Sequence, residues 1–507
     1  MAVSNESQVS AIGRWRIYEM IPGLITWSTF IFAIALSFIR PLWVIYFIII
    51  FDLYWLFRVS YFVFYILLSW QNYRRDRNVD WQASVESLPN WRRMYHCIFL
   101  PTYNESLEVL QRTLRSLAES RYPHDRMIVV LTGEERAGRE KFLAKAEAVR
   151  AEFGATFFKL IIISHPANLP DEIPGKGSNI NYAGHEVKKI IDGELHIPYA
   201  DIIVSSFDID TRAHPQYFSC VTYKYLTHPH PTRTSYQPIA LYNNNMWESD
   251  AILRVAAFGT TFWLMTDLMR PERLFTFSSH SMSWQMLVDV DFWEKDIVTE
   301  DSRIFLQGFL RYDGDYTVTP IFVPVSMNTV ATDTWWQGLK ALYQQQRRWA
   351  WGVEHIPYMM WHFRQKRADK KISWSTRVRY LWNLGEGMYS WATVPILITI
   401  LGRLPLYLAE GAEKATVVAQ NAPFVLQWLM TLAMAGIFIS GLLSLALLPP
   451  RPQQTLHLKY LIMALQWVLL PVTLILFGSI PATDAQTRLM LGGKFRLGFW
   501  VSPKERS

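Results

Sequence analysis

Asp208 and Asp210 stand one residue apart at the end of the β-branched run 201–206, and an oxygen-only pair of this kind suits Mg2+ or Mn2+. Thr299-Glu300-Asp301 offers further carboxylates where a helix is predicted to open at Ser302, and a carboxylate at such a place can serve as general base toward a hydroxyl. Gln344-Gln345-Gln346-Arg347-Arg348-Trp349 is the third cluster. On a helix Gln345 and Trp349 fall at i and i+4 with Arg348 beside them, which joins an indole able to stack on a sugar ring to a guanidinium able to grip phosphate. A cation holder, a base and a partner for a departing diphosphate are what transfer of a sugar from a nucleotide diphosphate requires. Each cluster also has an ordinary structural explanation: a solvated loop pair, a plain N-cap, an interfacial anchor.

The elements that must position these residues can be read from pattern. From about Arg92 to Pro324, short β-branched runs alternate with charged helical stretches, the signature of a parallel sheet built from βαβ units. The predicted strands are Met94–Leu100, Met127–Leu131, Phe158–Ile163 and Asp201–Ser206, and the Asp pair sits at the end of the fourth, where such a sheet delivers ligand-binding residues. Apolar runs flank this block: Ile21–Ile39 and Leu42–Trp70 before it, then Tyr380–Gly402, Phe424–Leu448 and Leu461–Ile480 after it. The first is long enough to cross a bilayer and is read as a retained helix rather than a signal peptide, since no small-residue cleavage site follows. Arg74, Arg75 and Arg77 close the second and mark that end, and the domain after it, as cytoplasmic. Trp335–Arg379, with Arg364, Lys366, Arg367, Lys370 and Lys371, reads as amphipathic helices at the membrane surface.

We therefore expect two transmembrane helices in 1–75, an α/β domain in 90–330, interface helices in 331–379, further membrane or channel helices in 380–480, and a basic cytoplasmic tail in 481–507. Three crossings after the domain would put that tail outside, so one of them is expected not to cross: Leu461–Ile480, broken by Pro471, or the helix carrying Glu386. Composition agrees with a multi-pass membrane protein, since half of the 507 residues are hydrophobic and the net charge of +7 gathers beside the apolar runs. That placement favours membrane lipids over nucleic acid as the partner of the basic charge. Cys97 and Cys220 lie far apart and outside any Cys/His cluster, so neither a disulfide framework nor a zinc site is indicated.

Taken in order, the motifs resemble those of the membrane-bound family 2 glycosyltransferases, of which cellulose synthase and hyaluronan synthase are relatives. Leu100-Pro-Thr102-Tyr103-Asn-Glu105 resembles the first strand and turn at the uridine pocket, and Pro174-Gly-Lys176-Gly-Ser-Asn179-Ile-Asn181 the nucleotide-contacting lysine and asparagine segment. Asp208 and Asp210 match the metal-binding pair, Glu300 and Asp301 the base motif, and Gln345, Arg348 and Trp349 the Gln-x-x-Arg-Trp motif. Phe499-Trp-Val501-Ser502-Pro-Lys504 resembles the gating loop of cellulose synthases, with Ser in place of Thr.

The resemblance implies a GT-A fold, a Rossmann-like, mixed and mostly parallel sheet inserted between transmembrane helices. It also implies an inverting, UDP-sugar-dependent hexosyltransferase with Mg2+ or Mn2+ on Asp208 and Asp210. Asp301 would be the base, Arg348 and Lys504 would lie near the nucleotide, and Trp349 on the acceptor. Two stretches depart from the pattern. Leu131-Thr-Gly133-Glu134-Glu135 stands where relatives carry a nucleotide-binding Asp, and Phe277-Ser-Ser-His280-Ser-Met282 replaces a glycine-containing acceptor loop, placing His280 as a candidate acceptor contact.

The expected function is processive synthesis of a β-linked polysaccharide at the inner or plasma membrane and its movement across, from a UDP-sugar onto a growing glycan. The expectation leaves room for an accessory or regulatory subunit. The rivals are a non-processive enzyme adding a sugar to a lipid acceptor, and a transporter or receptor that binds a nucleotide-sugar and uses Asp52, Arg58 and Glu386 for transport.

Overall fold

Strands buried on both faces of a parallel sheet read as unbroken apolar runs, and the first two strands of this chain do so. The computed structural model describes residues 5–365, 371–410, 416–453 and 456–503. The chain divides into two units, one comprising Met1–Ile66, Asp250–Gly259 and Trp335–Leu497 and the other Leu67–Ser249, Thr260–Thr334 and Gly498–Ser507.

The second unit is built on one eight-stranded sheet: β1 (Tyr95–Thr102), β2 (Met127–Glu134), β3 (Lys159–His165), β4 (Ile202–Ser206), β5 (Arg212–Ala213), β6 (Thr234–Leu241), β7 (His280–Ser283) and β8 (Thr317–Ser326), in the order β3-β2-β1-β4-β7-β6-β8-β5. β3, β2, β1 and β4 pair in parallel, and β6 pairs in parallel with β8. β7 runs antiparallel to both β4 and β6, and β5 antiparallel to β8. This mixed, mostly parallel sheet is of the GT-A class.

The four predicted strands are present. β1 starts one residue later than predicted and runs two residues further, and β2 and β3 extend to Glu134 and His165. The sequence reading leaves β5 to β8 unassigned. β6 contains Pro238 and carries a register shift between Pro238 and Ile239, and β7 is His-Ser-Met-Ser, so neither presents an apolar run to be read. All of β6 and β7 is nonetheless buried, and the serine hydroxyls of β7 are paired internally, as in Ser205 Oγ with Ser281 Oγ at 2.8 Å.

Helices cover the sheet because their apolar faces have nowhere else to go. Leu107–Ala118 buries Val109, Leu110, Leu114 and Leu117, and Ser106 caps it by accepting from the Val109 amide. Arg139–Phe153 presses so closely on β2 that a Cβ on Gly133 would lie 2.3 Å from the Phe142 ring, which accounts for glycine in the departing Thr-Gly-Glu stretch. Trp284, Trp293, Tyr217 and Phe207 are fully enclosed in the core.

The helical unit contains Asn5–Ile39, the main part of Pro41–Asp76, Trp335–Ala350, His355–Gln365, Trp374–Thr399, Val417–Ala446 and a broken run from Leu458 to Leu491. Asn5–Ile39 extends the predicted first span toward the N-terminus through Arg14 and Arg16, and Pro41 opens the next helix at the position where its missing N–H costs nothing. Among the described residues five helices are long and apolar enough to cross a membrane: Gly13–Ile39, Pro41–Asp76, Ala251–Leu268, Val417–Ala446 and Leu458–Leu491; Trp374–Thr399 with Leu401–Leu408 makes a sixth if that pair, bent by 43°, counts as one span. Large apolar side chains such as Trp43, Ile50, Phe57 and Phe438 are exposed on them, which is tolerable only against lipid. The chain is a membrane protein.

Ala251–Leu268 falls inside the stretch predicted to be soluble, but its apolar window is 67% buried, far above the 22% to 33% of the other four, so protein covers it. Arg58 donates to both carboxylate oxygens of Glu386 at 3.0 and 3.2 Å, which accounts for these two intramembrane charges as a helix-pairing contact. Cys97 and Cys220 are both buried free thiols.

Candidate active site

The ends of β1, β2 and β4 converge with two helix N-termini. Beyond β1, the Glu105 carboxylate accepts from Thr102 Oγ1 at 2.7 Å and from the Tyr103 amide at 2.8 Å, so it clamps its own turn and holds the Tyr103 ring under Arg136, whose guanidinium lies 4.5 Å from the ring centre. Beyond β2, Glu134 is buried and paired with Arg136, and Glu135 is bound by Ser164 Oγ and Arg139. Asn179, 1% exposed, accepts from Thr132 Oγ1 at 2.5 Å and donates to the Thr132 carbonyl, so it ties the Lys176–Ile190 helix to β2.

That helix begins at a close approach of chains. Gly175 is extended, and Ser178 Oγ accepts from its amide at 3.1 Å. From the first helical position the Lys176 ammonium reaches Asp208 Oδ1 at 2.7 Å and both oxygens of Asp301 at 2.9 Å, with Glu300 Oε1 3.9 Å away. Burial opposes its charge, but Asp208, Asp301 and Glu300 outweigh that and raise its pKa above the ordinary lysine value. The helix carrying Glu300 and Asp301 runs from Glu300 to Arg311, two residues earlier than predicted, with Thr299 at the cap position. Both carboxylates thus lie in a helical first turn, where the helix dipole favours negative charge.

The 276–282 stretch, expected in place of the acceptor loop, supports these groups. Ser278 Oγ donates to Asp208 Oδ2 at 2.8 Å, Thr276 Oγ1 donates to the Asp301 carbonyl at 2.6 Å, and the Phe277 amide donates to Gln237 Oε1. The Asn328 amide donates to Asp210 Oδ2 at 2.7 Å, and Asn244 Nδ2 to the Asp210 carbonyl. Hydroxyls standing where a glycine was expected in 277–282 are the one sequence signal that points to Ser278. His280 has no exposed surface. Its Nδ1 bonds the Phe277 carbonyl at 2.7 Å, and burial pushes its pKa down to about 4, with Asp301 opposing, so the imidazole is neutral and enclosed beneath the loop.

Of the predicted residues, Lys176, Asp208, Glu300 and Asp301 come together, with Asp210 two residues along. Thr102, Tyr103 and Glu105 occupy the β1 turn. Gln345, Arg348 and Trp349 lie on Trp335–Ala350 of the helical unit at the predicted helical spacing, with Gln345 buried. The tail reaches the sheet unit, where Phe499 packs on Gly175 so tightly that a Cβ there would lie 2.4 Å from its Cγ, and the Pro503 carbonyl accepts from the Ala331 amide at 3.1 Å. Lys504 lies outside the described residues, as do Lys366, Arg367 and Lys370.

Among the described residues no group of three or more His, Cys, Asp or Glu forms a complete metal site. Asp208 and Asp210 supply hard oxygens only, as Mg2+ or Mn2+ requires when the remaining positions go to water and substrate phosphate, so the residues present fit such an ion.

No curated protein matches the sequence. Among solved structures the chain is similar to the Pyrobaculum calidifontis mannosyltransferase PcManGT in complex with GDP-Man and Mn2+, at 16% identity over 79% of this chain and 99% of that one, with a TM-score of 0.44. It is also similar to S. aureus TarS 1-349 in complex with UDP-GlcNAc, at 12% identity over 69% and 90%, with a TM-score of 0.32. The family model described as Glycosyl transferase family group 2 matches residues 203–482, more than half of the chain, from β4 through Asp208, Asp210, Asp301 and the Gln-x-x-Arg-Trp motif. The chain belongs to that family of glycosyltransferases.

Proposed function

We propose that this chain is a processive, inverting hexosyltransferase of the cellulose synthase and hyaluronan synthase kind, which extends a β-linked glycan from a UDP-sugar and passes it across the membrane. The observation that carries the reading is the Lys176 ammonium held between Asp208 and Asp301, residues from three separate segments. In the reading, Asp301 takes the proton of the acceptor hydroxyl as its oxygen bonds the anomeric carbon. The bond from that carbon to the diphosphate breaks on the opposite face, and the nucleoside diphosphate leaves with the electron pair, so an α-linked donor gives a β-linked product. A Mg2+ or Mn2+ ion held by Asp208 and Asp210 would neutralise charge on the diphosphate.

Lys176 keeps the base and the cation pair a fixed distance apart, and Ser278 and the Asn328 amide each fix one oxygen of those carboxylates. Thr102, Tyr103, Glu105 and Asn179 are read as the nucleotide side and Trp349 as an acceptor platform, with Gln345 and Arg348 toward the diphosphate. Processivity is supported by the Gln-x-x-Arg-Trp helix and by the docking of Phe499 on the turn that launches Lys176.

The test is turnover by the full chain in lipid nanodiscs with Mn2+ and a panel of radiolabelled UDP-sugars and GDP-mannose, with products resolved by size. High-mass product from one UDP-sugar is expected. A single-sugar product extracted with lipid would replace the processive reading with a lipid-acceptor transferase.

A further inference from the structure

A cavity of about 440 Å³ opens on the flank of the sheet unit, between the second half of the Leu107–Ala118 helix and the edge strands β5 and β8. Arg112 and Arg115 of the helix and Arg212 of β5 line it, with His214, Asn244 and the C-cap residue Glu119. Its volume falls in the range of small-molecule sites. The cavity includes none of Lys176, Asp208 and Asp301, and Arg115 stands eight residues, about 12 Å, along the helix from Leu107, the end nearest the Thr102–Glu105 turn.

The charges in this cavity are poorly compensated. Arg112 is held by Glu108 and Arg115 by Glu152, both exposed pairs worth little in water. Among the described residues Arg212 makes no side-chain hydrogen bond or ion pair, although it is partly buried and feels the positive field of Arg112 as well as the attraction of Asp210 and Glu119. Beside it His214 is held below its ordinary pKa by burial and by the positive charges of Arg77 and Arg121, so the imidazole stays neutral and the positive charge of the cavity comes from its arginines. Guanidinium groups placed close together in a concave site are satisfied by an anion that accepts several forked hydrogen bonds, and phosphate oxygens suit them. Asn244 Nδ2, which gives one hydrogen to the Asp210 carbonyl, has a second to offer within the lining.

We propose that this cavity is a second anion site, separate from the donor site, which binds a phosphate ester or diphosphate through Arg112, Arg115 and Arg212. The chemistry is shared by a soluble phosphate compound and a phospholipid headgroup. The probe is radiolabelled inorganic diphosphate, with the full chain in detergent and the nucleotide site filled by saturating UDP and Mn2+. A saturable class of diphosphate binding is expected to persist, and Arg212→Gln and Arg112→Gln are each expected to weaken it at least tenfold. UDP affinity and the melting temperature should stay close to those of the unsubstituted protein, since Arg112 gives up only an exposed pair with Glu108 and Arg212 makes no side-chain hydrogen bond or ion pair among the described residues. Nanodiscs with and without phosphatidic acid separate the sources: competition by phosphatidic acid assigns the site to a lipid headgroup, and its absence to a soluble phosphate. Loss of all diphosphate binding under UDP, binding indifferent to both substitutions, or an equal loss of UDP binding would overturn the proposal.

Discussion

Asp301→Asn is the perturbation that isolates the proposed base. The side chain keeps its shape and one acceptor oxygen, so Lys176 retains a contact there and keeps its 2.7 Å bond to Asp208. What disappears is a negative charge able to take a proton. Positioned general bases contribute on the order of 10²–10⁴ to rate, which corresponds to about 3–5 kcal/mol of transition-state stabilisation. The expected result is therefore a fall of roughly 10²–10⁴ in kcat with donor affinity within about threefold, the pattern of an interaction made only in the transition state. The assay pairs steady-state turnover in nanodiscs with direct titration of UDP, so that chemistry and binding are read separately. A kcat that stays within about tenfold of the unsubstituted protein would refute Asp301 as base. A UDP affinity that falls as far as kcat would show that the substitution had collapsed the Lys176 cluster instead. Glu300→Gln serves as the neighbouring comparison, because Glu300 is buried 3.9 Å from the ammonium and is expected to act on stability more than on the chemical step.

Lys176→Met removes the ammonium that bridges Asp208 and Asp301; with both carboxylates partly solvated the expected loss is roughly 1–3 kcal/mol in thermal unfolding, part of which Mn2+ restores. Because the Lys176 pKa is raised in the folded state, its contribution is complete below the ordinary lysine value of about 10.4 and is lost only at higher pH, so an unfolding series from pH 7 to 10 should show no decline from this group. His96 behaves oppositely: burial lowers its pKa to about 3, so the unfolded chain binds the proton first, and its contribution is present above pH ~6.5 and lost as pH falls toward 3, at up to ~1.4 kcal/mol per unit, an acid limb that His96→Gln should flatten. Gly175→Ala drives a methyl into Phe499 and should expose the tail to limited proteolysis and lower turnover, whereas adding Phe499→Ala to it should restore the local fit; unchanged proteolysis in the single variant would show that the contact does not hold the tail.

What could be read in advance follows from how each residue announces itself. β1 and β2 are enclosed on both faces, so Cys97–Leu100 and Met127–Leu131 had to be apolar and the run itself marks the strand. β7 is equally buried but polar, because its hydroxyls bond across the sheet and its His280 bonds the Phe277 carbonyl; nothing in His-Ser-Met-Ser reveals that Ser281 has partners 64 and 76 residues away. Ala251–Leu268 shows the reverse difficulty, since an apolar helix covered by protein and one covered by lipid share one composition, and only the 67% burial separates them.

The site followed the same division. Asp208, Asp210 and Asp301 stand out because carboxylates at strand and helix ends are few and their spacing is chemical, but the salt bridge that joins them belongs to Lys176, 32 residues before Asp208 and 125 before Asp301. Its reach depends on three independent arrangements: the extended Gly175 turn that aims the first helical residue, the parallel pairing of β4 beside β1 that brings Asp208 opposite it, and the Thr299 cap that starts the next helix at Glu300. Each is local, and each is needed, so their agreement at one ammonium is the strongest physical ground for treating the cluster as a built site. A surface ion pair formed by accident would not have Ser278 holding the far oxygen of Asp208, because a donor placed behind a carboxylate orients it toward what lies in front, nor Thr276 fixing the backbone of Asp301 through its carbonyl.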